Sequence, residues 1–304
     1  MFVSLATTVF LLTFISLVAG RVQKTDVTFY LFTSENRETA TEITKENATV
    51  DGNSSLVFLI HGWRESREKP WYSDLTDTLL SKFDEINVIQ VDWSKPALQF
   101  YPAAAYDTKE TGNIVGSLIL DLVVNRGVNV ENVHLIGHSL GGHVAGFAGK
   151  YLQKFGFKLS KITALDAAGP LFRGFWVSEA SRLSKTDAEV VVAIHTDPWK
   201  FGYLVSFGSV DIYVNGRPLI QPGCPDTAEL NWLVCSHQRS HQIYIDALQK
   251  FGTLVATRCW SYLGLLFGWC QRNKQVDLGG EFKYDERGEY YLKTHFKKPY
   301  GLGP

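Results

Sequence analysis

The feature that most restricts this chain is a pentapeptide near its middle, Gly137-His138-Ser139-Leu140-Gly141. The strand-like run Val133-His134-Leu135-Ile136 leads into it, and a helical stretch over residues 140–155 leads out. G-x-S-x-G alone recurs by chance. Between a strand and a helix it has a mechanical meaning: a tight turn holds Ser139 in a strained conformation, and the flanking glycines let strand and helix approach. The serine then lies at a helix N-terminus, where free N–H groups and the dipole favour developing negative charge. A serine hydroxyl is a weak nucleophile, so the chemistry also requires an imidazole to take its proton and a carboxylate to hold that imidazole.

For this elbow the expected chain order is Ser, then Asp or Glu, then His. Asp166 directly follows the apolar run Lys161-Ile162-Thr163-Ala164-Leu165. Asp197 follows the next such run, residues 189–194, and is its rival. Each stands where a carboxylate at the end of a strand would reach the same sheet edge as Ser139. Four histidines come later: His195, His237, His241 and His295. His237 is two residues past Cys235, so a disulfide could fix its loop. The residues by themselves leave both the acid and the base open.

The surroundings suit such a site. Strand-like runs at residues 27–32, 55–60, 87–93, 133–136, 161–165 and 189–194 are apolar nearly throughout, and helical periodicity fills residues 112–126 and 140–155. Strands without polar alternation, separated by helices, imply an α/β fold with a mostly parallel central sheet flanked by helices. The part after about Gly208 reads as shorter, less regular elements. With 45% hydrophobic and 20% charged residues the chain is ordinarily globular, and 30 Lys+Arg against 31 Asp+Glu leave no bulk positive field for nucleic acid.

Residues 1–20 carry no charged side chain and centre on a short apolar run. Val18-Ala19-Gly20 supplies small residues before Arg21, so a cleaved signal peptide over 1–20 is expected, with a secreted, extracellular product. Residues 21–304 then form a single domain. Four cysteines (Cys224, Cys235, Cys259, Cys270) fall in two equally spaced pairs, and sequential pairing closes two short loops. Asn47 and Asn53 head N-x-S/T glycosylation acceptors. No tight Cys/His cluster points to a metal.

At this point the chain resembles the pancreatic lipase family. The resemblance rests on Leu59-Ile60-His61-Gly62-Trp63, Val91-Asp92-Trp93, His138 to His143, Ile162 to Asp166, Asp211-Ile212-Tyr213 with Asn215-Gly216, Gln221 to Cys224, and Cys235-Ser236-His237, all in the family's order. It implies an α/β-hydrolase fold with Ser139 as nucleophile, Asp166 as acid and His237 as base. Trp63 N–H and Leu140 N–H would be the oxyanion donors. The segment 224–235 would be a lid, and Cys259–Cys270 the family's next disulfide. No metal or cofactor is implied. Two departures matter. The chain stops at Pro304, without room for the family's C-terminal β-sandwich, and no colipase partner is expected. The lid is short, as in insect and venom phospholipase A1 members. A short lid leaves room for a polar headgroup, so the expected activity is hydrolysis of lipid acyl esters, by a phospholipase A1 or a triacylglycerol lipase.

The substrate would be presented by a lipid aggregate or membrane surface. The uncharged segment between Cys259 and Cys270 offers Trp260, Leu263, Leu265, Leu266, Phe267 and Trp269 as interfacial anchors, and Trp232-Leu233-Val234 in the lid could join them. The same segment could instead pack on the core. The competing reading of the whole chain is a catalytically silent lipid-binding or storage protein on the same scaffold. Ser139, Asp166 and His237 all being present argues against it.

Overall fold

The computed structural model describes residues 22–50, 52, 54–225 and 230–303. The expected leader, Asn53 and part of the expected lid fall outside these residues. Eleven strands form one sheet among the described residues: β1 (Thr28–Phe32), β2 (Thr41–Ile43), β3 (Ser55–Ile60), β4 (Ile86–Asp92), β5 (Val133–His138), β6 (Leu159–Leu165), β7 (Ala188–His195), β8 (Val210–Val214), β9 (Val255–Arg258), β10 (Gln275–Asp277) and β11 (Gly288–Leu292). Their order is β10-β9-β11-β8-β7-β6-β5-β3-β4-β1-β2. The central run from β4 to β11 is parallel, and short antiparallel strands finish each end.

The helices are α1 (Pro70–Lys82), α2 (Ser94–Ala97), α3 (Tyr101–Arg126), α4 (Leu140–Gln153), α5 (Leu230–Gln249) and α6 (Tyr262–Leu266). Side-chain alternation along a strand explains why the central strands are apolar on both faces. On β3, Leu56, Phe58 and Ile60 join Val115, Leu118 and Val144 of α3 and α4 in one core. Val57 and Leu59 join Trp71, Leu75 and Leu79 of α1, with Ile243 and Tyr244 of α5, in the other. The resulting α/β-hydrolase-type sandwich is the expected fold class.

Two expectations are corrected. The helix expected from residue 112 begins at Tyr101, because Pro102 and the small buried run Ala103 to Ala105 form its opening turns without a visible apolar stripe. The region after Gly208 contains the 20-residue α5, and His237 lies on that helix rather than in a loop. Among the described residues no helix is long and apolar enough to cross a membrane.

Candidate active site

Parallel pairing aligns the carboxyl ends of β3, β5, β6 and β7 at one edge. The residues just past those ends are Gly62-Trp63, Ser139, Asp166 and Thr196-Asp197, so loops far apart in sequence converge there. Ser139 adopts φ 55°, ψ −121° between β5 and α4. Close approach enforces this bend. A Cβ on Gly137 would lie 2.3 Å from the Gly141 carbonyl oxygen, and one on Gly141 would lie 2.1 Å from that of Ile60. Such a backbone costs on the order of 1–3 kcal/mol and persists only where its surroundings hold it. Ser139 N–H donates to the Leu165 carbonyl at 3.1 Å, fastening the bend to the residue before Asp166.

Asp166 is fully buried and has φ 49°. Its Oδ1 accepts from the backbone N–H groups of Thr196 (2.8 Å) and Asp197 (3.1 Å), and its Oδ2 lies 2.6 Å from His237 Nδ1. Burial holds the His237 imidazole below its ordinary range despite the opposing pull of Asp166. It is therefore neutral near pH 7, the form able to accept a proton.

No other candidate side chain takes part in the Asp166–His237 contact. His195 pairs with Asp211 at 2.8 Å and stacks on Tyr213. His241, one turn beyond His237, stacks on Trp71, and burial lowers its pKa to about 3. His295 is exposed in the C-terminal segment. Asp197 is buried beside Asp166 with neither carboxylate oxygen hydrogen-bonded, and Lys200 Nζ stands 3.6 Å away. Burial and then the neighbouring Asp166 charge raise its pKa to about 7. Of the two aspartates, Asp166 is the one joined to a histidine.

The turn after β3 lies against the elbow, since a Cβ on Gly62 would fall 2.7 Å from Ser139 Cβ. His61 Nδ1 contacts the Gly62 carbonyl at 3.0 Å. In a trans peptide the Trp63 N–H therefore points the opposite way. The Trp63 indole donates to the Gln99 carbonyl at 2.8 Å, and Arg64 N–H donates to that of Ala97. Leu140 is the first residue of α4, so its N–H has no partner a turn earlier within the helix.

Sequence reasoning did not single out Glu65. It is buried, and its Oε2 accepts from Gly62 N–H (2.9 Å) and meets His138 Nδ1 at 3.1 Å. The His138 and His237 rings are 4.8 Å apart. No local pattern announces this pair, because its members are separated by 73 positions.

Both disulfides join the expected partners, Cys224–Cys235 and Cys259–Cys270. The second loop is divided. Trp260, Leu263, Leu266, Phe267 and Trp269 are exposed, whereas Leu265 packs against the cluster of Tyr213 and Tyr291. Leu265 is thus half-buried on the inward side of α6, unlike its exposed neighbours. A second set of exposed apolar side chains lies at the carboxyl edge: Phe100 past β4, Phe175 and Trp176 past β6, and Trp199 past β7, with Phe175 98% exposed. Asn47 is exposed, with its amide nitrogen donating to the Glu42 carbonyl. Among the described residues no three His, Cys, Asp or Glu side chains group as a metal site.

The sequence model of one family, described as Lipase, matches residues 11–300. The chain is 37% identical to lipase member H-A of Xenopus laevis over 257 residues, which covers 82% of this chain and 54% of that protein. It is also 37% identical to phospholipase A1 member A of Homo sapiens over 227 residues, 74% of this chain and 48% of that protein. It thus spans about half the length of these relatives. Among solved structures, Est1E from Butyrivibrio proteoclasticus with bound ferulic acid overlaps at a TM-score of 0.34 and 12% identity, over 56% of this chain and 75% of that one.

Proposed function

Because the chain belongs to the lipase family, we propose that it is a secreted serine hydrolase of lipid acyl esters, acting on the sn-1 ester of phospholipids. The observation that carries this reading is the 2.6 Å contact between His237 and Asp166 beside the strained Ser139 bend. Ser139 Oγ attacks the ester carbonyl while His237 Nε2 takes its proton. Asp166 keeps the Nδ1 proton in place and stabilises the imidazolium that forms. The oxyanion is received by the N–H groups of Trp63 and Leu140, each such donor contributing about 3–4 kcal/mol. Collapse expels the alcohol, which takes the proton from His237. Water activated by the same imidazole then releases the fatty acid from Ser139.

Two lines support the phospholipid preference: the short segment closed by Cys224–Cys235 in the lid position, and a relative named phospholipase A1. The two disulfides support an oxidising, extracellular destination. The exposed aromatic and aliphatic side chains of the Cys259–Cys270 loop support contact with a lipid surface.

The test uses purified secreted protein with phosphatidylcholine and with triacylglycerol, recording the position of the released chain, alongside labelling by a fluorophosphonate. We expect labelling that Ser139→Ala abolishes, and release from the sn-1 position of the phospholipid. Absence of both labelling and hydrolysis would overturn the reading in favour of a silent lipid-binding protein. Labelling with hydrolysis of triacylglycerol alone would overturn only the headgroup preference.

A further inference from the structure

We propose that Glu65 is a positioning residue for the reaction assigned above: one of its carboxylate oxygens ties the Gly62-Trp63 turn to the His138-Ser139 elbow and sets their relative placement. The proposal rests on that reading and adds a residue to it. The two partners of Oε2 are the immediate neighbours of the two groups that must be aligned. Gly62 N–H, at 2.9 Å, precedes the Trp63 donor, and His138 Nδ1, at 3.1 Å, precedes the nucleophile.

Gly62 needs an external restraint. Its backbone has no Cβ to limit φ and ψ, and there is no room for one, since Ser139 Cβ would lie 2.7 Å away. The direction of the Trp63 N–H therefore depends on fixing the peptides on both sides of Gly62. His61 Nδ1 fixes the following peptide through the Gly62 carbonyl. Glu65 fixes the preceding one through the Gly62 N–H. Without the second restraint only the His61 Nδ1 contact would hold the turn that carries the Trp63 donor.

Stability alone does not explain a charge here. Glu65 and His138 are 7% and 2% exposed, and a buried ion pair loses the solvation of two charges, a cost that an apolar pair of the same volume does not bear. Burial opposes ionisation of Glu65, but the charge and hydrogen bond of His138 and the Gly62 N–H hold its carboxyl well below the usual range. His138 is correspondingly raised by Glu65 against the effect of its own burial. Each partner favours the charged form of the other, and the two opposite charges offset one another. The pair can grip two backbone segments without placing a net negative charge beside a forming oxyanion.

The experiment measures wild type, Glu65→Gln, Glu65→Asp and Glu65→Ala on a soluble short-chain p-nitrophenyl ester, with rates expressed per folded molecule from a thermal melt. Asp keeps the charge but is one methylene too short to reach both partners. Gln keeps the reach and an accepting oxygen. The expected result is a fall in kcat of about 30-fold for Asp and Ala with KM within about twofold, and recovery to within about fivefold of wild type by Gln. If Ala does not fold, the Asp and Gln variants decide the matter. A lowered melting temperature with kcat per folded molecule unchanged in Asp would make the pair a structural ion pair and overturn the proposal. A Gln variant as impaired as Asp would overturn it as well. A wild type that neither labels with fluorophosphonate nor hydrolyses any ester would instead overturn the parent reading.

Discussion

Replacing Asp166 by Asn tests the proposed triad through one proton. The Asp166 carboxylate has two jobs: Oδ1 receives the backbone N–H groups of Thr196 and Asp197, and Oδ2 receives His237 Nδ1–H at 2.6 Å. An amide can satisfy the first only by aiming its oxygen at those N–H groups, since its NH2 would otherwise meet two donors. The NH2 then faces His237 Nδ1 and donates to it. The imidazole is driven to the tautomer protonated on Nε2, which cannot take the Ser139 proton. Loss of that proton transfer in comparable triads lowers kcat about 10⁴-fold, equivalent to about 5.4 kcal/mol of barrier. Because the fully buried site keeps its shape and volume, KM for a soluble ester and the melting temperature should change little. Stopped assays with p-nitrophenyl butyrate would measure the loss. A decrease of less than tenfold would refute the tautomer argument and move the acid role to another carboxylate, with Asp197 first in line.

Other substitutions probe separate parts of the molecule. Gly141→Ala would place a methyl 2.1 Å from the Ile60 carbonyl oxygen. A loss of about 3 kcal/mol in urea unfolding is expected for backbone that cannot yield, and a loss under about 1 kcal/mol would contradict the packing of the elbow. Asp197 holds a proton in the folded state up to about pH 7, whereas the ordinary value is 3.8. The stability from this group is complete below pH 3.8 and is lost as pH rises through 7. The gain in melting temperature from Asp197→Asn should therefore grow between pH 4 and 7 and level off above; a gain independent of pH would be inconsistent. Finally, Leu263→Asp with Phe267→Asp, both exposed, should weaken binding to phosphatidylcholine vesicles while sparing turnover of a soluble ester. Equal loss on both substrates would mean that the loop serves the fold instead.

Legibility in the sequence followed burial. The strand at residues 55–60 is legible to the residue, because a two-faced parallel strand is apolar nearly throughout and a glycine turn ends it. The elbow was readable because its glycines answer a local steric demand. The run Ala103 to Ala105 was not, since alanines buried at a close helix contact raise no amphipathic signal. Helix α5 was missed for a related reason. Its earlier half buries Ser236, His237, Arg239, Ser240 and His241 before the apolar residues from Ile243 onward, and a helix whose inner face starts polar looks irregular to a hydrophobic count. Residue order left Asp166 and Asp197 as rivals, since both follow strands of the same sheet; the resemblance chose Asp166, and the spatial pairing of His237 with Asp166 adds what order alone did not supply. Glu65 stayed invisible because its meaning lies wholly in partners brought to it by the fold.

The carriers of the three side chains of the proposed triad are mechanically unequal. Ser139 and Asp166 hang from neighbouring strands in fixed register. The imidazole rides on α5, which meets α1 through Trp71 stacked on His241 and through Gln249 Nε2 donating to Thr78 Oγ1. Packing between those two helices therefore helps set where the imidazole sits, whereas the place of the hydroxyl is set by the sheet. Trp71 touches both sides of this arrangement, stacking on His241 of α5 and meeting His138, the residue before Ser139, edge to face at 5.8 Å.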